Sequence, residues 1–463
     1  MDSYDVIVLG GGSTGEVVAG RAAAGGLKVA IVEFGAVGGE CSYYACMPSK
    51  VLLRPGSERA LAQAVPGLSR REQLGIDAAE TFRRRDEVTH RLDDQGQVQW
   101  LRDANVELFR GEGRLRGEKL VAIRARDGST RELQAKRAVV IATGTDPAIP
   151  DIPGLRAARP WTNRDATQAR TVPKRLFVLG GGAVGCELAQ AFHALGSKDV
   201  HLVERSTRLV PRFEEHASAL LTECLTREGI HVLTATEMVG VERPKLGGPV
   251  TAKLGDGKSI EADELLVALG RSPRTRDIGL ESVGLPAGRY VDVDDQLRAK
   301  GVPGDWLYAC GDANGRNLLT HMGKYQGRIA ADVILGKDIA ARADDYATPQ
   351  VLFTHPEIAS VGLTEAQAHK RNMRVRSVTV ALESVGGTAV TSVGLTGWAK
   401  LVVNTDEQTI AGATFVGMNV GESLHAATIA VTARVPLQML WHAVPSYPTV
   451  TEIWVRLLGA YGV

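Results

Sequence analysis

Five cysteines in 463 residues are too few for a secreted disulfide scaffold. Charge of one sign is also missing: 54 Lys and Arg stand against 53 Asp and Glu, a formal net charge of +1. That balance gives no reason to expect nucleic acid or an anionic membrane as partner. No uninterrupted apolar run of about 18 residues occurs, so a membrane span is not expected. The first residues, Met1 to Asp5, lack a basic leader and a cleavage site, so a secretory signal is not expected either. A cytoplasmic location follows as the expectation. Aromatics are sparse at 5%. What the chain has in excess is glycine, 52 residues, much of it in a few clusters.

Two of those clusters share one pattern. Val6 to Leu9 leads into Gly10-Gly11-Gly12-Ser13-Thr14-Gly15 and a small-residue helix through Ala24; a second apolar run, Val29 to Val32, ends in Glu33. Leu176 to Leu179 leads into Gly180-Gly181-Gly182-Ala183-Val184-Gly185 and a helix through Ala194; Val200 to Val203 ends in Glu204. Strand, glycine turn, helix, strand and acid make the βαβ dinucleotide fingerprint. Gly10, Gly12, Gly15 and Gly180, Gly182, Gly185 let backbone approach a pyrophosphate at a helix N-terminus. Glu33 and Glu204 are placed to accept from ribose hydroxyls. One glycine motif alone would be weak evidence, but two complete copies predict two bound nucleotides in doubly wound α/β domains. Glu204 favours NADH, since a carboxylate repels a 2′-phosphate; Arg205 and Arg208 keep NADPH as the alternative. Residues 57–110 read as amphipathic helix and carry no assigned chemistry. Beyond Tyr346 short strand-like runs, Leu401 to Val403 and Thr414 to Val416, alternate with helical patterns such as Leu424 to Ala433, which predicts a separate α+β domain.

Cys41 and Cys46 follow the first fingerprint, in Gly38-Gly39-Glu40-Cys41-Ser42-Tyr43-Tyr44-Ala45-Cys46-Met47-Pro48-Ser49-Lys50. On a regular helix their Cα atoms would lie roughly 8.5 Å apart, whereas a disulfide needs about 4.4–6.8 Å. The segment is therefore expected to be broken locally. Cysteines this close in a cytosolic chain point to redox chemistry more than to structure. Cys186, Cys224 and Cys310 stand alone and are expected to be inert core residues. No metal-ligand set is expected.

At these residues the chain resembles the pyridine nucleotide-disulfide oxidoreductases, the family of glutathione reductase, dihydrolipoamide dehydrogenase and mercuric reductase. Cys-x4-Cys-x-Pro-Ser-Lys is its most specific element. Ala142-Thr143-Gly144-Thr145, with Pro147, Pro150 and Ile152-Pro153-Gly154, resembles the crossover from FAD domain to NAD domain, and Gly270-Arg271-Ser272-Pro273 the return. Tyr308-Ala309-Cys310-Gly311-Asp312 resembles the second FAD motif, and Phe353 to Gly362 the opening of the dimerisation domain. The resemblance implies an FAD-binding domain from residues 1–147 and 274–343, an NAD(P)-binding domain at 148–273 and a dimerisation domain at 344–463. It implies a homodimer with bound FAD and NADH (or NADPH) as donor. Cys46 is the implied charge-transfer thiol and Cys41 the interchange thiol. Lys50 and Glu187 form the implied ion pair beside the flavin, and Asp312 holds its ribitol. Gly39, Thr143, Gly144 and Gly270 join the cofactor cradle.

One position departs from the family. Where its disulfide reductases carry His-Pro-Thr-x-x-Glu, this chain has Tyr447-Pro448-Thr449-Val450-Thr451-Glu452. Glu452 is kept, but a phenol with a reference pKa of about 10 replaces the imidazole base. His442, five residues upstream, is expected to serve packing or surface instead. Mercuric reductases also tend to carry Tyr here, yet they add a C-terminal cysteine pair, and the last cysteine here is Cys310. Tyr43 and Tyr44 likewise replace smaller residues. The expected function is electron flow from nicotinamide through FAD and Cys41–Cys46 to a small-molecule or protein disulfide not identified by sequence. Metal-ion or quinone reduction is the alternative, and a redox-sensing flavoprotein a lesser one.

Overall fold

The computed structural model describes residues 1–391, 393, 394 and 396–463. It separates into two compact units. The first comprises Met1–Pro48, Arg85–Ala148 and Gly270–Asp344. Its sheet runs Val106–Arg110, Val29–Glu33, Asp2–Leu9, Thr130–Ile141, Leu120–Arg124, Glu112–Gly117, with Leu307–Ala309 also on Thr130–Ile141. The strands nearest the first glycine loop are parallel. They read as unbroken apolar runs because helices cover both faces. Val6, Ile7 and Val8 are fully buried, each contributing on the order of 1.5–3 kcal/mol.

The second unit comprises Ser49–Arg84, Ile149–Leu269 and Asp345–Val463. Its parallel sheet runs His231–Leu233, Asp199–Val203, Arg175–Leu179, Glu264–Val267. A three-stranded antiparallel sheet, Met238–Glu242, Val250–Leu254 and Ser259–Ala262, lies in the same unit. The last quarter of the chain builds a five-stranded antiparallel sheet, Pro349–Leu352, Glu357–Gly362, Thr409–Gly417, Trp398–Asn404, Val375–Ala381. Helices Leu424–Thr432 and Ile453–Tyr461 pack on it. Leu352, Ile358 and Val416 share a core with Val178, Phe192 and Leu202. The architecture is thus two doubly wound α/β domains and an α+β domain.

One expectation fails. Residues 57–110 are not continuous amphipathic helix: Cys46–Ala64, Ala78–Val88 and Gln95–Asp103 are separate helices, and Val106–Arg110 is a strand. Val106, Leu108 and Phe109 pair beside Val29–Glu33. A short edge strand after a helix is decided by the partner available to it rather than by its own period.

Candidate active site

The two glycine fingerprints fold alike. Gly10 and Gly180 take φ of +105° and +113°, and a Cβ there would lie 2.4 and 2.5 Å from the carbonyl oxygens of Ala142 and Ala268. A Cβ on Gly15 or Gly185 would lie 1.9 or 1.8 Å from the carbonyl oxygen of Gly10 or Gly180. Each loop therefore accepts only hydrogen at these positions and turns straight into its helix, Ser13–Ala24 or Ala183–Leu195, capped by extended Gly12 or Gly182. The two acids are held by backbone donors. Glu33 accepts from the amides of Gly11 at 2.6 Å and Gly35 at 2.5 Å, and Glu204 from those of Gly181 and Ser206, both at 2.7 Å. Burial would push Glu204 up, but the Ser206 and Gly181 hydrogen bonds and the Arg205 charge outweigh it and hold its carboxyl below the ordinary range. Arg208 donates to the carbonyls of Phe213 and Pro211 and so braces its own loop.

In the first unit the redox segment lies directly on the first glycine loop. Gly38 and Gly39 are left-handed, Gly38 bridges Gly12, and a Cβ on Gly39 would meet Gly12 Cα at 2.8 Å. The helix Gly39–Tyr43 then stops, and Cys46 opens the next one. The break at Tyr44 and Ala45 removes the regular-helix spacing and lets the two thiols hydrogen-bond to each other. That hydrogen bond, burial and the charge of an ionised Cys46 all push the Cys41 thiol up. Cys46 Sγ lies 3.3 Å from Thr320 Oγ1, a partner no sequence motif signalled. Cys186 and Cys310 are buried as expected, whereas Cys224 is only half-buried.

Three distant motifs of this unit meet at Thr145. Its hydroxyl donates to Asp312 at 2.7 Å and accepts from Arg271 Nε at 2.9 Å. Gly144 and Gly270, both left-handed, flank the paired strands Thr145–Pro147 and Arg271–Pro273. Burial pushes Asp312 up against the Thr145 hydrogen bond and the Arg271 charge. Thr14, at the start of the first helix, occupies the space that Cβ atoms on Gly311 and Gly323 would need, which seats the Asp312 turn at that helix N-terminus. Thr143 Oγ1 is buried with no partner among the described residues. A glycine cradle closed to side chains and an orphaned hydroxyl beside it fit a bound dinucleotide.

In the second unit Lys50 Nζ lies 2.7 Å from Glu187 Oε2 and 4.8 Å from the centre of the Phe353 ring. Glu187 also accepts from the Phe353 amide at 3.0 Å. Phe353 was legible as part of a motif but not as a support for this pair. In the same unit Tyr447 and Glu452 flank Gly386: a Cβ there would meet Tyr447 Cε2 and Glu452 Oε2, each at 3.2 Å. Glu452 accepts from the Gly387 amide at 3.3 Å, and Tyr447 is 79% exposed. His442 is exposed.

These sites match one family throughout. The model of the pyridine nucleotide-disulphide oxidoreductases matches residues 4–327, and that of their dimerisation domain residues 348–458. The chain is a pyridine nucleotide-disulphide oxidoreductase. Among relatives of this oxidoreductase, a mercuric reductase of Staphylococcus aureus is 33% identical over 97% of this chain and 81% of its own length. A dihydrolipoyl dehydrogenase of Thermus scotoductus is 34% identical over 98% of this chain and 96% of its own. Solved structures share the fold: LpdA of Mycobacterium tuberculosis, with a TM-score of 0.87 at 24% identity over the whole of both chains, and the Cu(II) complex of the HOCl-induced flavoprotein disulfide reductase RclA of Escherichia coli, with 0.86 at 22% over 99% of each. As a member of the family the oxidoreductase uses FAD and NAD(P)H. No helix among the described residues is long and apolar enough to cross a membrane.

Sequence reading passed over Glu16. In the oxidoreductase it lines a cavity of about 840 Å³ in the first unit with Arg21, His90, Trp100 and Lys324. Burial, helped by the Glu33 charge and opposed by Lys324, pushes its carboxyl up to about 7. The folded state therefore binds a proton that the unfolded chain, titrating at 4.5, does not. Glu16's contribution to stability is fully present below pH 4.5 and is lost as pH rises toward 7. Glu16→Gln is expected to melt higher than wild type at pH 8, with the difference closing near pH 4.5. Calorimetry showing one constant difference at both pH values would remove this role.

Proposed function

We propose that the enzyme carries electrons from NADH through FAD to Cys41 and Cys46, and from Cys41 to a disulfide. The observation that carries this reading is the thiol pair, a mutually hydrogen-bonded Cys41 and Cys46 on the first glycine loop. Bound FAD supplies hydride acceptance from nicotinamide and two-electron exchange with sulfur. The chain's own part is to hold and charge the groups around it. Cys46, with Thr320 3.3 Å away, would be the thiol that exchanges electrons with the flavin. Cys41 would attack the acceptor disulfide as a thiolate, forming a mixed disulfide as the acceptor's own S–S bond breaks, with its proton passing to the departing thiolate. The Lys50–Glu187 pair holds a fixed cation within its own unit, and Asp312, Thr143, Gly39, Gly144 and Gly270 would frame the cofactor. Glu204, held ionised, disfavours a 2′-phosphate, while Arg208 is engaged with backbone, so kcat/KM is expected to be higher with NADH than with NADPH.

A homodimer fits this reading. The C-terminal domain exposes Ile429, Met439, Trp441, Val444 and Tyr447, an apolar set that a two-fold partner would cover. A cytoplasmic setting, where thiols stay reduced, suits the pair. Anaerobic titration with NADH tests the electron path: a long-wavelength thiolate-to-flavin band should grow as the disulfide opens. Bleaching of the flavin without that band would refute it. The mercuric reductase relatives favour a second reading, reduction of a metal ion at the same thiols.

Tyr447 bears on that choice. Its hydroxyl would donate a hydrogen bond to a bound acceptor or thiolate, a role that needs no proton transfer from the phenol. Tyr447→Phe is expected to lose about 10–100-fold with the physiological acceptor, the scale of one hydrogen bond to a charged group. Wild-type rates would leave only packing for the ring.

A further inference from the structure

We propose that the nicotinamide-binding domain carries a binding site for a divalent transition-metal ion, formed by Asp199, His201 and His231. Asp199 and His201 are two apart on strand Asp199–Val203, so both side chains rise from one face. His231 opens the neighbouring edge strand, and the parallel register sets it directly beside His201. His201 Nε2 lies 2.9 Å and His231 Nε2 3.6 Å from the same oxygen, Asp199 Oδ1. The two rings stack at 4.6 Å with 20° between planes. The three ligating atoms all lie within 4.8 Å of one another, a separation that small side-chain rotations bring to that of ligands sharing one ion.

Two imidazoles and one carboxylate are the donor set of zinc, copper, nickel and cobalt rather than of magnesium or calcium, which prefer oxygen alone. The fourth side faces water, since His231 and Asp199 side chains are 60% and 38% exposed, so a water completes a tetrahedral site. Asp199 and His231 open their strands and His201 is the third residue of its own; Glu204 follows the end of that strand, roughly 10 Å from His201 at the strand's rise. An ion here clamps the edge strand His231–Leu233, whose last carbonyl accepts from the Glu204 amide at 2.9 Å. It takes no part in hydride transfer.

The test uses FAD-loaded enzyme with Cys41 and Cys46 oxidised, so that thiolates do not compete, and Zn2+ as the probe. Isothermal titration should show one saturable Zn2+ per chain that His231→Ala abolishes, weakening binding by more than about 100-fold, because loss even of a supporting residue costs about 10–100-fold. FAD content and NADH oxidation by an artificial dye should be unchanged in that variant, as the His231 side chain is largely exposed. Zn2+ should raise the thermal midpoint of the wild type and not of His231→Ala. His201→Asn should behave alike. No saturable Zn2+ in the wild type, or an unaltered isotherm in a folded His231→Ala, would overturn the site.

Discussion

Replacing Cys41 by serine is expected to end turnover with every disulfide acceptor while FAD binding and NADH oxidation by artificial dyes persist. The serine hydroxyl cannot form the mixed disulfide through which a thiolate attacks an acceptor. Dyes take electrons from the flavin directly and do not need it. The variant should also show the long-wavelength band before any NADH is added, because Cys46 no longer has a disulfide partner and loses the thiol with which it shares a proton. Mutual hydrogen bonding means that removing one sulfur changes the ionisation of the other, so the band's pH dependence should shift as well. Full disulfide turnover in Cys41→Ser would be decisive against the assignment of the interchange role.

The second large effect concerns the duplicated glycine loop. Gly185→Ala would put a methyl group 1.8 Å from the Gly180 carbonyl oxygen, an overlap with backbone that no side chain can relieve. The helix Ala183–Leu195 must move off the loop, and its N-terminal amides leave the pyrophosphate position. Overpacking of this kind costs about 1–3 kcal/mol, which, expressed in binding, corresponds to a rise in KM for NADH of about 5–150-fold. FAD content should stay at the wild-type level, since its loop is the other copy. The matching Gly15→Ala, with its 1.9 Å overlap, should instead release FAD. If the two variants lost the same cofactor, the division of labour between the loops would be wrong.

Residue sequence alone carried both dinucleotide folds and the thiol pair, because their determinants are local. A glycine that must be left-handed, a helix beginning three residues later and an acid ending the next strand all lie within about thirty residues, so one stretch of chain shows the complete device. The break between Cys41 and Cys46 was legible for the same reason: helix spacing is a local constraint that two sulfurs cannot meet. The strand Val106–Arg110 was not legible, since its state depends on the open edge of Val29–Glu33. Nor was Thr320 beside Cys46, which lies 274 residues away in the chain, or the meeting of Thr145, Arg271 and Asp312. His201 and His231 are thirty residues apart with no motif between them, and only parallel register turns them towards one Asp199 oxygen. Hydrogen bonds within a loop and turn are written in neighbouring residues. Pairing between strands, and the burial that pushes Glu16 up to about 7, exist only once the chain has closed on itself.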